Sequence, residues 1–598
     1  MAGNTIDLDD ILTKDDLACR ISDYWRVWNN MRREWLEEKD ELKKYLYATS
    51  TKHTTQKSSE WKNTTTIPKM TQIRDNLLAN YMASIFPKRK WIRWEGLTPA
   101  DETKETTKVV KDFMTWAVNQ AHFKEEIRKL IMDYLDYGNC FASVEWVDRT
   151  TVLEDGTVKP GFVGPKPIRY SPLDLVMNPI AKDFASSPKI IRVLTSIGEA
   201  KEILERFSST REDEEVAQKV FDYCLGLRQS MKSYGSSELS EKDELLHIDG
   251  FDSFRQYLQS DYVELLFFYG DIYDSTSNEF KKNRQIVVID KHKVVYDKPV
   301  DFPMAEVPIY HAGWRMKQDN LWAMGPFDNL VGLQYRLDQT ENQKADMVDL
   351  TTAPPIVIKG MVNDFTWGPL EKIYVDNDGD VKLMSPRPEV LQQNIELAAI
   401  ESRMEEMSGS PKEAMGFRTP GEKTAYEVQR LENAASRIFQ NKIAQFEEQI
   451  IEPLLNAMLI LAQSNMSDTT IRVIEDEFKS AQFATIRRQD LSANGKLRAV
   501  AARHFAEKAE RIQNLNNFYQ SALGQDPEVR MHLSSVKLAE MVEDLIDLTD
   551  YEIVTPNIRL SEQAEAQQFA NTLQENVVTT AESPAGLTPE DFSGSLVS

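Results

Sequence analysis

The stretch of this chain that most invites a chemical reading is GFRTPGEKT, residues 416–424. A phosphate-binding loop reads G-x-x-x-x-G-K-[ST]. Its glycines let backbone N–H groups converge on a phosphate, and the lysine directly after the second glycine adds its ammonium. Gly416 and Gly421 have that separation, but Glu422 stands between Gly421 and Lys423. It places a carboxylate where the phosphate would dock. The context fails as well, because such a loop follows a buried strand, whereas this stretch follows a Glu/Met-rich helical run and SGSP. An acidic strand end for magnesium exists at Asp290, in IVVID, but it lies upstream, and a hairpin accounts for it. Metal sites fare no better. DNDGDVKLMSPR (376–387) opens like a calcium loop, yet Gly379 is fourth where the sixth position needs it, and Arg387 occupies the place of the bidentate glutamate. No His-Glu-x-x-His spacing and no Gly-x-Ser-x-Gly elbow occurs. Paired acids such as EWLEEKDE and REDEEV read as solvated helical faces. The residues therefore imply no enzyme, no metal and no cofactor.

The elements around that stretch define a different kind of molecule. A chain of 598 residues exceeds one ordinary core. Its longest apolar runs, such as VELLFF (263–268), fall far short of the roughly 20 residues of a membrane-spanning helix, and no apolar leader precedes the acidic start. Cys19, Cys140 and Cys224 are too dispersed for a disulfide framework, which points to a reducing compartment. A net charge of −24 repels nucleic acid at long range and excludes a DNA-coating or sequence-reading protein. It leaves room for a protein that surrounds a duplex it must not grip.

Along the chain, DLACRISDYWRVWNNMRREWLEEKDELKKYLY predicts one long helix. Leu17, Ile21, Tyr24, Trp28, Met31, Trp35, Leu42 and Tyr45 form a narrow apolar seam, suited to its own core or to a neighbouring subunit. The polar stretch 48–66 reads as a loop or extended arm. Helices dominate from Pro68 to Asp148, with strands at KWIRWEGL and NCFASVEWVD. Strands dominate from Thr150 to Asp301, with a turn at Asp155-Gly156 and a hairpin about Asp290 to His292. One helix, SIGEAKEILERF, interrupts them, its Ser196 and Glu199 at capping-box spacing. A helix starting near Pro326 runs to Ala353-Pro354-Pro355. A β-like insert (PIVIKG, KIYV, the turn DNDGD, VKLM) follows, and then a second helix, EVLQQNIELAAIESRMEEM. The longest helical pattern spans 424 to about 463, with Pro453 expected to kink or break it. TIRVIEDE and FATIRR read as strands, the remainder as helical up to Leu548, and the tail as poorly ordered.

At DNLWAMGPFDNLVGLQYRLDQTENQKADMVDLTTAPPIVIKG this organisation resembles the portal, or head-to-tail connector, proteins of tailed bacteriophages, in particular the short-tailed, podovirus-like type. A Trp-Ala-Met-Gly-Pro entry leads into a helix carrying Asp338 and Asn342. A proline-bounded β insert, a return helix and GFRTPGEKTAYEVQRLENAASRIF follow. Thr424-Ala425-Tyr426-Glu427-Val428 matches the Thr-Ala-x-Glu-Val with which the family opens its long helix, and IRDNLLANYMASIFP and YSPLDLVMNP are similar to its N-terminal region. The likeness covers roughly residues 15 to 550.

The resemblance implies an α+β, mainly helical portal fold with wing, stem, clip and crown regions, assembled as a dodecameric ring at one capsid vertex. By position, 1–325 would be the N-terminal arm and wing, 326–350 and 389–407 the stem helices, and 351–388 the clip. The tunnel loop would be 408–423, the long kinked helix and returning strands 424–490, and the crown and tail 491–598. Lys412, Arg418 and Lys423 would face double-stranded DNA in the tunnel loop, without base reading. Arg336, Lys344 and Arg403 would line the stem channel among Asp338, Glu341 and Glu401. Ile356, Lys359, Trp367, Lys372 and Tyr374 would meet partners at the clip. Implied partners are further copies of the chain, passing DNA, terminase, a tail adaptor, and major capsid and scaffolding protein, with no membrane. The location would be the virion, reached through the host cytoplasm during assembly. The other class of reading is a virion ring or structural protein without DNA passage. A stem helix of this length spans about 36 Å, enough for a channel wall. In the same reading Glu422 sits in the first turn of the long helix, where a carboxylate suits the positive end of the dipole. Purified protein is therefore expected to hydrolyse no ATP, and Lys423→Ala to leave nucleotide binding unchanged in a fluorescent-nucleotide titration.

Overall fold

The apolar run at 263–268 is continuous because both faces of its strand are covered. Strand β8 (Tyr262–Asp274) is the centre of a five-stranded antiparallel sheet of order β10-β9-β8-β7-β6, with β6 Leu175–Met177, β7 Lys189–Ser196, β9 Glu279–Ile289 and β10 Lys293–Pro299. Leu266, Phe268, Ile286 and Val288 point to one face, against Ala18, Ile21, Trp25 and Trp28 of helix α1 (Asp16–Met31). Leu265, Phe267, Val287 and Ile289 point to the other. There they meet Ala200 and Leu204 of α6 (Ile197–Phe207) and Ala217, Phe221 and Cys224 of α7 (Arg211–Met231). The hairpin from β9 to β10 turns at Asp290 and Lys291, both at positive φ (48° and 59°), and His292 N–H donates to Ile289 C=O at 2.9 Å.

This computed structural model describes residues 16–48, 63–207, 211–231, 261–352, 356–358, 381–383, 394–408 and 439–499. Short breaks occur within these ranges at 87–90, 99–100, 102, 149–150, 153–157, 160, 275–277, 301, 304–306, 467–468, 475–480 and 492. The chain is a mixed α/β protein in which helix outweighs strand, 53% to 27%. Every strand pair among the described residues is antiparallel. It divides into two compact units, Met1–Ala502 and Arg503–Ser598. The described elements belong to the first unit.

The largest core of that unit is helical. Helices α2 (Arg33–Leu46), α3 (Lys69–Ile85), α4 (Lys104–Gln120) and α5 (Phe123–Asp136) contribute Leu42, Ile73, Phe113 and Ile127 to it. Helix 439–446 packs Phe439 on Tyr81 and Phe446 on Tyr134, and its continuation α10 (Glu452–Asn465) adds Leu454, Leu455 and Met458 to the same core. Strand β2 (Asn139–Asp148) lies between β11 (Tyr310–Gly313) and β5 (Val163–Tyr170), and carries Cys140, Ala142 and Val144 into the same core. Pro453 does not break its helix. Between 439–446 and α10 the chain takes one π-helical turn, Glu447–Ile451. The wider turn accommodates a proline that cannot donate to the carbonyl four residues back and whose ring would collide with it.

Several expectations are corrected. The first helix is two, because the chain leaves α-geometry at Arg32, whose guanidinium reaches out to the carbonyls of Pro172, Leu173 and Leu175 at 2.6, 2.6 and 2.8 Å. The break sends Trp28 to the sheet and Trp35 to a separate cluster with Tyr137 and Trp322, and both are buried within this chain. Trp28 and Trp35 are therefore core residues of this chain, while Met31 of the same seam is exposed. A second helix, α7, accompanies SIGEAKEILERF in the strand-rich region. The capping box there is real: Glu199 N–H donates to Ser196 Oγ, and Ser196 N–H donates back to Glu199 Oε2. Past Leu491, where helix was expected, β18 (Gly495–Ala499) pairs along the whole of β1 (Ile92–Gly96), burying Leu497 beside Trp94. The turn at Asp155-Gly156 lies outside the described residues, although β3 (Thr151–Val152) and β4 (Val158–Lys159) pair on either side of it.

The helical units and the sheets meet at a close backbone approach. Gly138, at φ +72°, lies where any Cβ would come within 2.4 Å of Gly325 N and 2.5 Å of Met324 C. Gly138→Ala should thus destabilise the fold by about 3 kcal/mol or more, read as a fall in the chemical denaturation midpoint.

Candidate functional site

Helix α8 (Val331–Thr352) and helix α9 (Asn394–Ser408) bracket a two-stranded antiparallel pair, β14 (Ile356–Ile358) with β15 (Val381–Leu383). This is the helix, β insert, helix order expected from the prolines. The first helix begins at Val331 rather than near Pro326. Asp328 Oδ2 accepts Gly325 N–H at 2.8 Å, and its Oδ1 takes the buried ammonium of Lys39, so 326–330 is a turn fastened to α2.

Helix α8 is unusual in what it buries. Besides Leu337, its buried residues are Gln334, Asp338, Thr340 and Asn342, all polar. What they face is the backbone of an extended segment, 63–67, and a buried backbone must find hydrogen-bond partners. Asn342 Oδ1 accepts Thr65 N–H at 2.8 Å, and its Nδ2 donates to Thr65 C=O at 2.9 Å. Asp338 Oδ1 accepts Ile67 N–H at 3.0 Å. Gln334 Nε2 donates to Ile67 C=O at 2.6 Å and to Asp338 Oδ1 at 2.9 Å, while its Oε1 accepts Met70 N–H at 3.3 Å. At the outer end Asp346 Oδ1 accepts Asn63 N–H at 3.0 Å, and Asp349 Oδ2 takes Asn63 Nδ2 at 3.2 Å. Side chains four residues apart on the helix thus bind alternate residues of the arm.

The inner end of this ladder is closed by charge. Lys69, at the start of α3, places its buried ammonium 2.7 Å from Glu405 and 3.6 Å from Glu401 of α9. Behind it, Arg74 makes a two-pronged bond to Asp136 at 2.6 and 2.7 Å, and Arg169 of β5 a similar one to Asp133. Burial pushes the Asp133 carboxyl up to about 6 against the pull of Arg169. Burial pushes Asp338 up to about 7, opposed by the Ile67 N–H and the Gln334 amide. Asp338 is 2% exposed, and its Oδ2 has no hydrogen-bond partner among the described residues.

Of the residues singled out from sequence, Arg336 is exposed on α8 and meets Glu396 of α9 at 2.5 Å, tying the two helices. Lys344 leans toward Glu341 at 3.9 Å, and Arg403 is exposed on α9. Ile356 is in β14, with its backbone opposite Leu383. Lys359, Trp367, Lys372 and Tyr374 lie outside the described residues, as do Lys412, Arg418 and Lys423 with the whole GFRTPGEKT stretch. Sequence reading picked out Asn342, and Asp338 as a surface charge that the structure instead buries; it expected an arm at 48–66 but missed Gln334, Asp346 and the helix on which residues 63–67 lie. The signal was present: polar residues at 334, 338, 342 and 346, where a core-facing helix repeats apolar ones. Among the described residues, no group of three or more His, Cys, Asp and Glu side chains is placed to hold a metal ion, and no helix is long and apolar enough to cross a membrane. No protein-family model matches the chain, and no curated protein matches it.

Two substitutions separate the ladder from the surface. Asn342→Ala strands both backbone groups of Thr65 and should cost about 1–3 kcal/mol. Arg336→Ala removes an exposed ion pair and should change stability by less than about 1 kcal/mol. Parallel urea denaturation of the two variants distinguishes these outcomes.

Proposed function

We propose that this chain is a viral portal protein: a ring at one capsid vertex through which double-stranded DNA is packaged and ejected, and to which terminase and tail adaptor dock. The observation that carries the reading is the excursion α8, β14/β15, α9. The two helices bracket a small antiparallel pair in the chain, and that order of elements supports reading them as a portal's stem and clip. The entry through Trp322-Ala323-Met324-Gly325 supports it. Those residues close strand β13 (Asn320–Met324) and lead into the Asp328 turn and the helix. Leu337 of α8 and Leu397, Ile400 and Met404 of α9 turn into the helical core. Arg336, Lys344, Glu341, Glu396 and Arg403 give the surfaces of the two helices both signs of charge, as suits helices repeated around a ring.

In this reading the protein is a conduit and assembly platform rather than an enzyme. The acidic bulk of the chain keeps passing DNA from adhering, and only sparse phosphate contacts are called for. The tunnel-loop assignment of Lys412, Arg418 and Lys423 and the clip assignment of Lys359, Trp367, Lys372 and Tyr374 rest on the order of modules alone. Electron microscopy of the purified full chain is expected to show closed rings with an axial channel close to the ~20 Å width of duplex DNA, scaled from groove dimensions. Closed rings without such an opening would favour a structural ring that passes no DNA. Monomers or open filaments that persist with capsid protein and terminase present would sink the portal reading.

A further inference from the structure

Within the ladder between α8 and residues 63–67 two buried side-chain atoms, Thr66 Oγ1 and Asp338 Oδ2, have no hydrogen-bond partner among the described residues, and only the second belongs to a group that can ionise. Asp338 Oδ1 accepts from both Ile67 N–H and Gln334 Nε2, but Oδ2 is buried with no donor. The cations that could neutralise it are committed elsewhere. Lys69, which follows the arm, is held by Glu405 and Glu401 of α9. On α8 itself Arg336 is turned to Glu396 and Lys344 to Glu341. From α2, Lys39 is engaged by Asp328, and Lys43 lies over the Tyr137 ring. The remaining carboxylates nearby, Asp346 and Asp349, sit at the outer end against Asn63, where solvent reaches them. Among the described residues, an ionised Asp338 in the docked arrangement is therefore a buried charge without a counter-charge. Undocking the arm would open it to water.

We propose that docking of residues 63–67 on α8 is linked to uptake of one proton by Asp338, so that the arm is a latch that tightens on acidification and loosens toward neutral pH. The direction follows from the two states. Docked, the carboxyl is raised to about 7; released into water it returns toward its ordinary 3.8. Between those values the docked state holds a proton that the released state does not. Docking is then strongest below about pH 4, weakens as pH rises to about 7, and is flat above it. The latch bears on the proposed stem, since α8 is its acceptor, yet it holds whether or not the chain forms a ring. The rungs at Thr65 and Ile67 are made by the backbone of the arm, while the Asn63 side chain on Asp346 and Asp349 and the Ile67 side chain on the helical core release with it.

Amide hydrogen exchange of the full chain, read by mass spectrometry on peptides covering 63–70 and corrected for intrinsic rates, tests this. In the wild-type protein the opening of these amides, relative to those of α5, should increase about tenfold or more between pH 5 and pH 7, where complete linkage of one proton gives tenfold per unit. Asp338→Asn keeps the acceptor for Ile67 N–H but cannot ionise, and should make the opening independent of pH within about twofold. Asn342→Ala should raise opening at both pH values and retain the slope. A flat wild-type ratio overturns the proposal without need of any variant. So does an unchanged slope in Asp338→Asn, which would assign the proton to another group.

Discussion

Four residues of α-helix rise about 6.0 Å, and two residues of extended chain advance about 6.6 Å. That near-match is the constraint on which the α8 region depends. It lets Gln334, Asp338, Asn342 and Asp346, one per turn, serve Ile67, Thr65 and Asn63 in register over some three turns of helix. The match is imperfect, so such a ladder cannot run far before its rungs drift. Its ends are indeed reinforced by other means, Lys69 with Glu405 and Glu401 at one and the second carboxylate of Asp349 at the other. The arm in turn sets where α3 begins, because Gln334 accepts from Met70 N–H in its first turn. A helix that would otherwise bury apolar residues buries amides and a carboxyl, and its partner is a backbone.

The rest of the first unit is arranged to hold the base of that helix still. Lys39 reaches from α2 to Asp328, and Asp328 takes the Gly325 N–H at the point where β13 becomes the turn before α8. Asn139 lies at the centre of the same junction, fully buried. It donates to Tyr137 C=O and Ala323 C=O, accepts from Ala323 N–H, and lies 3.0 Å from the His311 ring. His311 stacks on Phe141, and burial holds it neutral, down to about 3. Asn139, His311 and the Ala323 backbone thus satisfy one another, and satisfied polar networks inside a core specify a single geometry.

Much of the architecture was legible in the residues. The strands at 92–96, 139–148 and 262–274 follow from alternation or from unbroken apolar runs. The Asp290 turn, the Ser196 capping box, and the helix, β pair, helix order after residue 331 follow from local rules. Where sequence reading failed, a distant partner decided. Arg32 breaks the first helix because three carbonyls of residues 172–175 receive its guanidinium. Residues 495–499 form a strand because β1, some four hundred positions earlier, offers an edge. Pro453 is absorbed by a π-turn inside a buried helix that packing keeps continuous.

The same division holds for the site. The sequence by itself determined that GFRTPGEKT departs from the phosphate-loop pattern, by the one glutamate inserted between Gly421 and Lys423. It also determined that two helices bracket a small β pair, because prolines cannot continue either helix. Only the tertiary structure decided what Asp338 and Asn342 do. A helix reports its own period in sequence, but an extended arm of Asn and Thr reports nothing about which helix will receive it. Its bonds run from main chain to side chains nearly three hundred residues away, and they exist only once the fold has brought the two together.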